Sequence, residues 1–180
     1  MPTWVSLLRA VNLGARNKLN MPALRDSLSA AGFADVRTYV QSGNVVARSS
    51  HRSPAKVAAA IHQVIADDFA MDVPVVVRSG KDLADVVATN PFDDAADRPV
   101  HVHVIFLSAR PAAAAVAEFE QVDLGPDRAR VAGSDVYAWY ADASKASRVG
   151  AALRRLGVEG TARNWRTVTT LAQMAAEDRR

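Results

Sequence analysis

The order in which two hydrophobic periods alternate over the first 79 residues constrains this chain more than any other feature. Thr3 to Val11 carries Trp4, Val5, Leu7, Leu8 and Val11 and predicts a buried strand. Met21, Leu24, Leu28 and Ala31 then recur at helical spacing, with Pro22 near the start and Gly32 past the end. From Asp35 to Gln41 the period falls to two, with Val36, Thr38 and Val40 on one face and Arg37, Tyr39 and Gln41 on the other. Asn44 to Ser49 predicts the next strand, and Ser42-Gly43 a hairpin turn. Ser53-Pro54 opens a helix with the stripe Val57, Ile61, Val64, Ile65 and Phe69, and Val73 to Arg78 closes the set as a strand.

That β-α-β-β-α-β order is the ferredoxin-like split βαβ unit, an antiparallel sheet with its helices on one face. Residues 80–180 repeat the idea. Ser79-Gly80-Lys81-Asp82 has the form of a capping box, and Asn90-Pro91 stops the helix behind it. Val100 to Ser108 predicts a strand and Pro111 to Phe119 an Ala-rich helix. Arg128–Ala132 and Val136–Ala141 predict a hairpin around Gly133-Ser134, followed by helices near Arg148–Leu156 and Asn164–Ala176. The expectation is one α+β domain over residues 1–180. It is built of tandem ferredoxin-like (βαββαβ) subdomains, 1–79 and 80–180, with mainly antiparallel sheets and helices packed on one face. The loop Asn90 to Pro99 is the expected seam.

Charge narrows the function classes. The net charge is only +3, but its distribution is uneven. Residues 1–60 hold 8 basic and 2 acidic side chains, residues 61–142 hold 6 and 14, and residues 143–180 hold 8 and 3. Basic ends flank an acidic middle, so ends that met in space would make a positive field that the total conceals. The chain has no Cys, which excludes disulfides, thiol catalysis and Cys-ligated metal. The first apolar run, Val5 to Leu8, is interrupted by Arg9, so neither a signal peptide nor a membrane span is expected, and a cytoplasmic location is.

Three donor-rich blocks stand out. Arg9 is followed by Asn12-Leu13-Gly14-Ala15-Arg16-Asn17-Lys18, a glycine loop able to gather donors around an anion, although neither nucleotide fingerprint is present. In Gln41-Ser42-Gly43-Asn44 the turn accounts for every residue except Gln41. Arg163-Asn164-Trp165-Arg166-Thr167 opens the last helix, with Asn164 as cap and Trp165 as core anchor. Other constellations have plainer readings. His101 and His103 share a strand face and read as a sheet-surface pair, so no metal is expected. Asp67, Asp68 and Asp72, and Asp93, Asp94 and Asp97, read as solvated acids. No G-x-S-x-G nucleophile is present.

Four ordered stretches carry a resemblance. They are Leu7-Leu8-Arg9-Ala10-Val11-Asn12-Leu13-Gly14, the block Arg37 to Val46, Asn90-Pro91-Phe92, and Thr161 to Val168. Together they resemble the bacterial family catalogued as domain of unknown function 1697. The resemblance implies two ferredoxin-like α+β halves and no established activity or cofactor. Where the family resembles Gly-x-Gly-x-Ser-Lys/Arg-Leu-Thr, this chain has Ser144-Lys145-Ala146-Ser147-Arg148, which leaves no clear role for Lys145 or Arg148.

The preferred expectation is a cleft for an anionic, phosphate-bearing small ligand or nucleotide. In it Arg9, Lys18 and Arg163 neutralise charge, and Asn12, Gln41 and Asn44 orient the ligand. Gly14 and Gly43 allow close approach, with Ser42, Asn164, Arg166 and Thr167 beside them. The alternatives are a nucleic-acid-binding module using Tyr39, Tyr137 and Trp139, an enzyme using Gln41, Asn44, His101 or His103, and an interaction module without a small ligand.

Overall fold

The computed structural model describes residues 1–14, 18–92, 97–142 and 147–177. The chain divides into two compact units: Met1–Asp85 together with the end of the chain from Thr170, and Val86–Thr169. The dividing line therefore falls inside a helix, ahead of the expected seam at Asn90–Pro99, and the last turns of the final helix group with the first unit.

The first unit is built on β1 (Thr3–Leu8), α1 (Met21–Ala30), β2 (Ala34–Tyr39), β3 (Asn44–Arg48), α2 (Pro54–Phe69) and β4 (Val75–Ser79). Its strands lie in the order β2-β3-β1-β4, all neighbours antiparallel. This is the ferredoxin-like arrangement expected from the periodicity. Local chemistry explains the helix ends. Asn20 caps α1 by accepting the Ala23 N–H, and Ser53 caps α2 by accepting that of Lys56; each helix carries Pro in its first turn. Trp4 and Leu8 of β1 meet Leu24 and Leu28 of α1 and Val57, Ile61 and Ile65 of α2 in one core. The opposite sheet face is buried too, at Val5, Leu7 and Val46. There Arg37 donates to the Met174 carbonyl at 2.8 Å and to Glu177 at 3.0 Å, fastening the end of the last helix to β2.

Two expected strands differ from the observed ones for one reason. β1 stops at Leu8 because Ala10 turns to φ 57 and Asn12 to φ 54. Arg9 therefore follows the strand, half-buried, rather than lying inside it. β2 stops at Tyr39 because Val40 turns to φ 50, which leaves its side chain exposed instead of on the core face. A left-handed residue aims the chain out of the pleat, and neither Ala nor Val announces it.

α3 (Gly80–Ala88) leads from one unit to the next, opened by the capping box: Ser79 N–H donates to Asp82 Oδ2, and Asp82 N–H to Ser79 Oγ. The second unit follows with β5 (Val102–Leu107), α4 (Ala113–Glu120), β6 (Arg128–Ala132), β7 (Asp135–Trp139), α5 (Val149–Leu153, continued by a 3-10 turn) and β8 (Gly160–Asn164). Its antiparallel sheet runs β6-β7-β5-β8, and α6 (Trp165–Glu177) trails it. Ile105, Leu107, Val136 and Ala138 face Phe119, Val149 and Leu156 in its core.

The two sheets repeat one register. Val5 pairs with Val46 and Arg78; Val104 pairs with Tyr137 and Arg163. Leu8 N–H donates to Gly43 O at 2.8 Å, and Leu107 N–H to Ser134 O at 2.9 Å. At that corner the halves then diverge. Residues 9–20 join β1 to α1 where 108–112 join β5 to α4, and Val40–Gly43 turn the first hairpin where Gly133-Ser134 turn the second. Connections of this kind usually take about 2–6 residues. The first half thus carries an enlarged corner on a scaffold that does not require one.

Candidate functional site

The enlarged corner is held by one side chain. Asn12 Nδ2 donates to the Leu19 carbonyl at 3.0 Å and to the Gln41 carbonyl at 2.7 Å, while its Oδ1 accepts the Leu19 N–H at 2.8 Å. The amide therefore closes the 9–20 loop on itself and ties it to the hairpin. Both of its donors and its acceptor are engaged within the protein, so Asn12 positions the corner and has no donor left to orient a ligand.

The hairpin seats against β1 through a missing side chain. A Cβ at Gly43 would stand 2.5 Å from Val11 Cγ2 and 2.7 Å from Leu8 Cβ, at φ +77. The close approach that Gly43 allows is thus to the strand end. Asn44 is fully buried, and its amide donates to Tyr39 O and Ser42 Oγ at 3.0 Å each. Turn geometry accounts for Ser42, Gly43 and Asn44 alike.

Between loop and hairpin lies a pocket of about 430 Å³ lined by Asn12, Gly14, Lys18, Leu19, Asn20 and Gln41. Its size falls within the range of small-molecule sites, about 300–1,000 Å³. Among the described residues the lining holds one cation and no carboxylate. The Lys18 ammonium and the Gln41 side-chain amide are exposed and make no hydrogen bond or ion pair among the described residues. The start of α1 adds less than a bare helix end would. Pro22 has no N–H and Asn20 takes that of Ala23. No acidic residue occupies that first turn. Arg16 and Asn17 lie outside the described residues.

Backbone strain concentrates at this corner. Of the five non-glycine residues at positive φ among the described residues, Ala10, Asn12 and Val40 belong to it, beside Gly14 at φ 60 and Gly43 at φ 77. Such conformations cost about 1–2 kcal/mol each outside glycine and cluster where function constrains the chain.

The third block belongs to the second unit. Arg163 is 7% exposed, and its guanidinium donates to Thr161 Oγ1 at 2.7 Å and to the Ala162 carbonyl at 2.8 Å. Burial lowers its pKa to about 10, below the usual range but still cationic at neutral pH. Asn164 accepts the Thr167 N–H at 2.9 Å as the expected cap. Trp165 and Thr167 are buried, and Arg166 is exposed.

The second unit has its own pocket, of about 460 Å³, that no sequence pattern announced. Arg128 stands over Phe92 at 5.0 Å and over Trp139 at 4.4 Å, and Trp139 stacks on His101 at 5.6 Å. Its acids are engaged. Asp127 accepts from Ala141 N–H and Ser147 Oγ. Asp123 accepts from Gly125 N–H and Arg148, which hold its carboxyl below the ordinary range. Arg148 thus has a structural partner, whereas Ser144, Lys145, Asp93 and Asp94 lie outside the described residues.

The remaining candidates are placed as follows. Tyr137 is buried, its hydroxyl donating to Val86 O at 2.8 Å, so it offers no open face to a base. His101 Nδ1 lies 2.6 Å from Tyr140 O. His103 meets the Tyr140 ring edge-on at 5.2 Å, and desolvation lowers its pKa. Among the described residues no group of three His, Cys, Asp or Glu side chains converges in a metal-holding arrangement, and no helix is long and apolar enough to cross a membrane.

The fold defines the class: a tandem α+β protein with two antiparallel four-stranded sheets. Residues 1–137 match the model of the family described as "Protein of unknown function (DUF1697)", and the chain belongs to that family. The chain is also similar to a solved structure described as "The structure of conserved bacterial protein SP0830 from Streptococcus pneumoniae". The two share 20% identity and a TM-score of 0.78, with 98% of this chain and 99% of that one covered, which is a likeness of fold. No curated protein matches.

Proposed function

We propose that the protein binds a small anionic, phosphate-bearing ligand in the pocket of the enlarged corner. One observation carries the reading: Lys18 is the one charged residue among the described residues that line the pocket, it makes no hydrogen bond or ion pair among them, and the unengaged Gln41 amide shares that lining. A positive group that faces no carboxylate favours anions, and a neutral amide supplies both a donor and an acceptor. The Asn12 clamp fixes the backbone at Leu19 and Gln41, from which the two groups extend, before the ligand arrives, which lowers the ordering cost of binding. Arg163, Asn164 and Thr167 are accounted for by β8 and the start of α6, so the reading rests on the first unit alone.

The test is thermal unfolding of the full chain against inorganic phosphate and ribose 5-phosphate. A site at 100-fold excess over Kd stabilises by about 2.7 kcal/mol. Lys18→Ala is expected to remove the shift without changing the Tm of the unliganded protein, because Lys18 is exposed and makes no hydrogen bond or ion pair among the described residues. No shift at millimolar ligand, or an equal shift in Lys18→Ala, would refute it.

A further inference from the structure

The pocket of the second unit stands apart from the corner and has its own chemistry. Its described lining includes two guanidiniums, Arg128 and Arg130, and two carboxylates, Asp123 and Asp127. The two signs are not equally available. Asp123 accepts from Gly125 N–H on one oxygen and from Arg148 on the other, and Asp127 accepts from Ala141 N–H and Ser147 Oγ in the same way. Every carboxylate oxygen of the described lining is thus already engaged within the protein. Arg130 is exposed and makes no hydrogen bond or ion pair among the described residues. A ligand that brings acceptors therefore meets an open set of N–H donors, whereas one that brings donors meets acceptors already in use.

The strand explains the placement of the two guanidiniums. Ala129 and Val131 of β6 pack against the core, so the alternation turns Arg128 and Arg130 to the opposite face. Arg128 is held over the rings of Phe92 and Trp139, which fixes one cation beside the open one. Pro91, Val122 and Leu124 add apolar side chains to the same lining. A bare carboxylate would fill a small part of about 460 Å³, so the space also takes the body of a small organic molecule.

We propose that this pocket is a second ligand site, for a small organic carboxylate whose charged end pairs with Arg130. A planar guanidinium meets a planar carboxylate through two parallel N–H···O bonds, a match that a lysine does not offer. The charge count selects a monoanion. Two guanidiniums against two carboxylates leave no net field in the described lining to draw in a dianion, and Asp123 and Asp127 repel its second charge. The site is independent of the corner pocket and stands or falls without it.

The experiment titrates the full chain at pH 8 with benzoate, and separately with inorganic phosphate, which is mostly a dianion there. It follows the indole N–H resonances of the three tryptophans by NMR. Trp4 and Trp165 are buried, whereas Trp139 lies 4.4 Å from the Arg128 guanidinium. The expected result is a saturable shift of the Trp139 resonance with benzoate, and binding of phosphate to this site at least tenfold weaker. Arg130→Gln is expected to weaken benzoate at least tenfold and to leave the Tm of the unliganded protein unchanged, because Arg130 is exposed and holds no partner among the described residues. Lys18→Ala is expected to leave the benzoate response intact, which separates this site from the corner. The proposal is overturned if Trp139 does not respond to millimolar benzoate, if Arg130→Gln binds it as well as the unmodified protein, if phosphate binds this site as tightly, or if Lys18→Ala abolishes the response.

Discussion

Asn12→Asp isolates what holds the corner together. The two side chains have the same shape, and both tolerate a left-handed backbone, so the φ of 54 costs the same before and after. Asp keeps the acceptor for the Leu19 N–H but replaces the amide that donates to Leu19 O and Gln41 O. Two hydrogen bonds at about 0.5–1.5 kcal/mol each give a loss of about 1–3 kcal/mol. The new oxygen then sits where two carbonyl oxygens lie 3.0 and 2.7 Å from the original nitrogen, so the upper half of that range is expected. In a domain pair of this size each kcal/mol lowers Tm by about 2–4 °C, so the variant should melt about 4–12 °C lower. Urea unfolding at pH 7 measures the loss directly, with the m-value unchanged if only the native corner is affected. The sign of the pH dependence follows from the same geometry. A carboxyl beside two carbonyls binds its proton more tightly when folded, with a pKa above the ordinary value of about 3.9. The protonated form also donates. The defect should therefore be smaller at pH 4 than at pH 7, compared with the unmodified protein at each pH. A loss under about 0.5 kcal/mol at pH 7, within the usual effect of a surface change, would refute the clamp.

Three further outcomes follow from single contacts. Gly43→Ala should cost more than about 2 kcal/mol, because the new Cβ meets Leu8 Cβ and Val11 as well as the φ of +77. Gly32→Ala, at φ +90 in open space, should cost only about 1 kcal/mol, so their difference in urea reads the steric part alone. Ser79→Ala removes one partner of the capping box and should lower stability by about 1 kcal/mol, with faster amide exchange confined to the first turn of α3. The pH dependence of the second unit should trace to His103. Its Nδ1 is buried with no hydrogen-bond partner among the described residues and burial lowers its folded pKa, so the unfolded chain takes up the proton first. The neutral form's stability is then complete above about pH 6.5 and is lost as pH falls toward the folded value. His103→Phe, which keeps a ring against Tyr140, should flatten that slope in urea titrations between pH 7 and pH 5; an unchanged slope would exclude His103 as its source.

What the sequence made legible was whatever acts locally. Pro22, Ser53, Pro54 and Asn164 mark helix starts because a cap and its N–H lie within three residues of each other. The alternation around Val36 and Thr38, and the runs in β1 and β5, set the strand order because burial on a pleat has a period of two. Its limits lie in the backbone. Ala10 and Val40 end two strands by turning left-handed, and neither side chain signals it. Asn12 was legible as a polar residue in a glycine loop, but its partners are the carbonyls of Leu19 and Gln41, which any residue supplies. The same blindness hid the Phe92–Arg128–Trp139 stack, whose members are far apart in the chain. Lys18 and Gln41 stand out in the sequence by residue type, and both line one pocket.

The unequal corners also set a stoichiometry. The sheet registers coincide at Leu8 and Leu107, so a recognition element arising from strand geometry alone would occur twice per chain. One that needs the long 9–20 connection and a four-residue bend occurs once, and the clipped corner at Ser108 and Gly133 serves as an internal blank. Calorimetry should then return a single equivalent, and grafting residues 9–20 and the Val40–Gly43 bend onto that second corner would be the direct route to a molecule that takes up two.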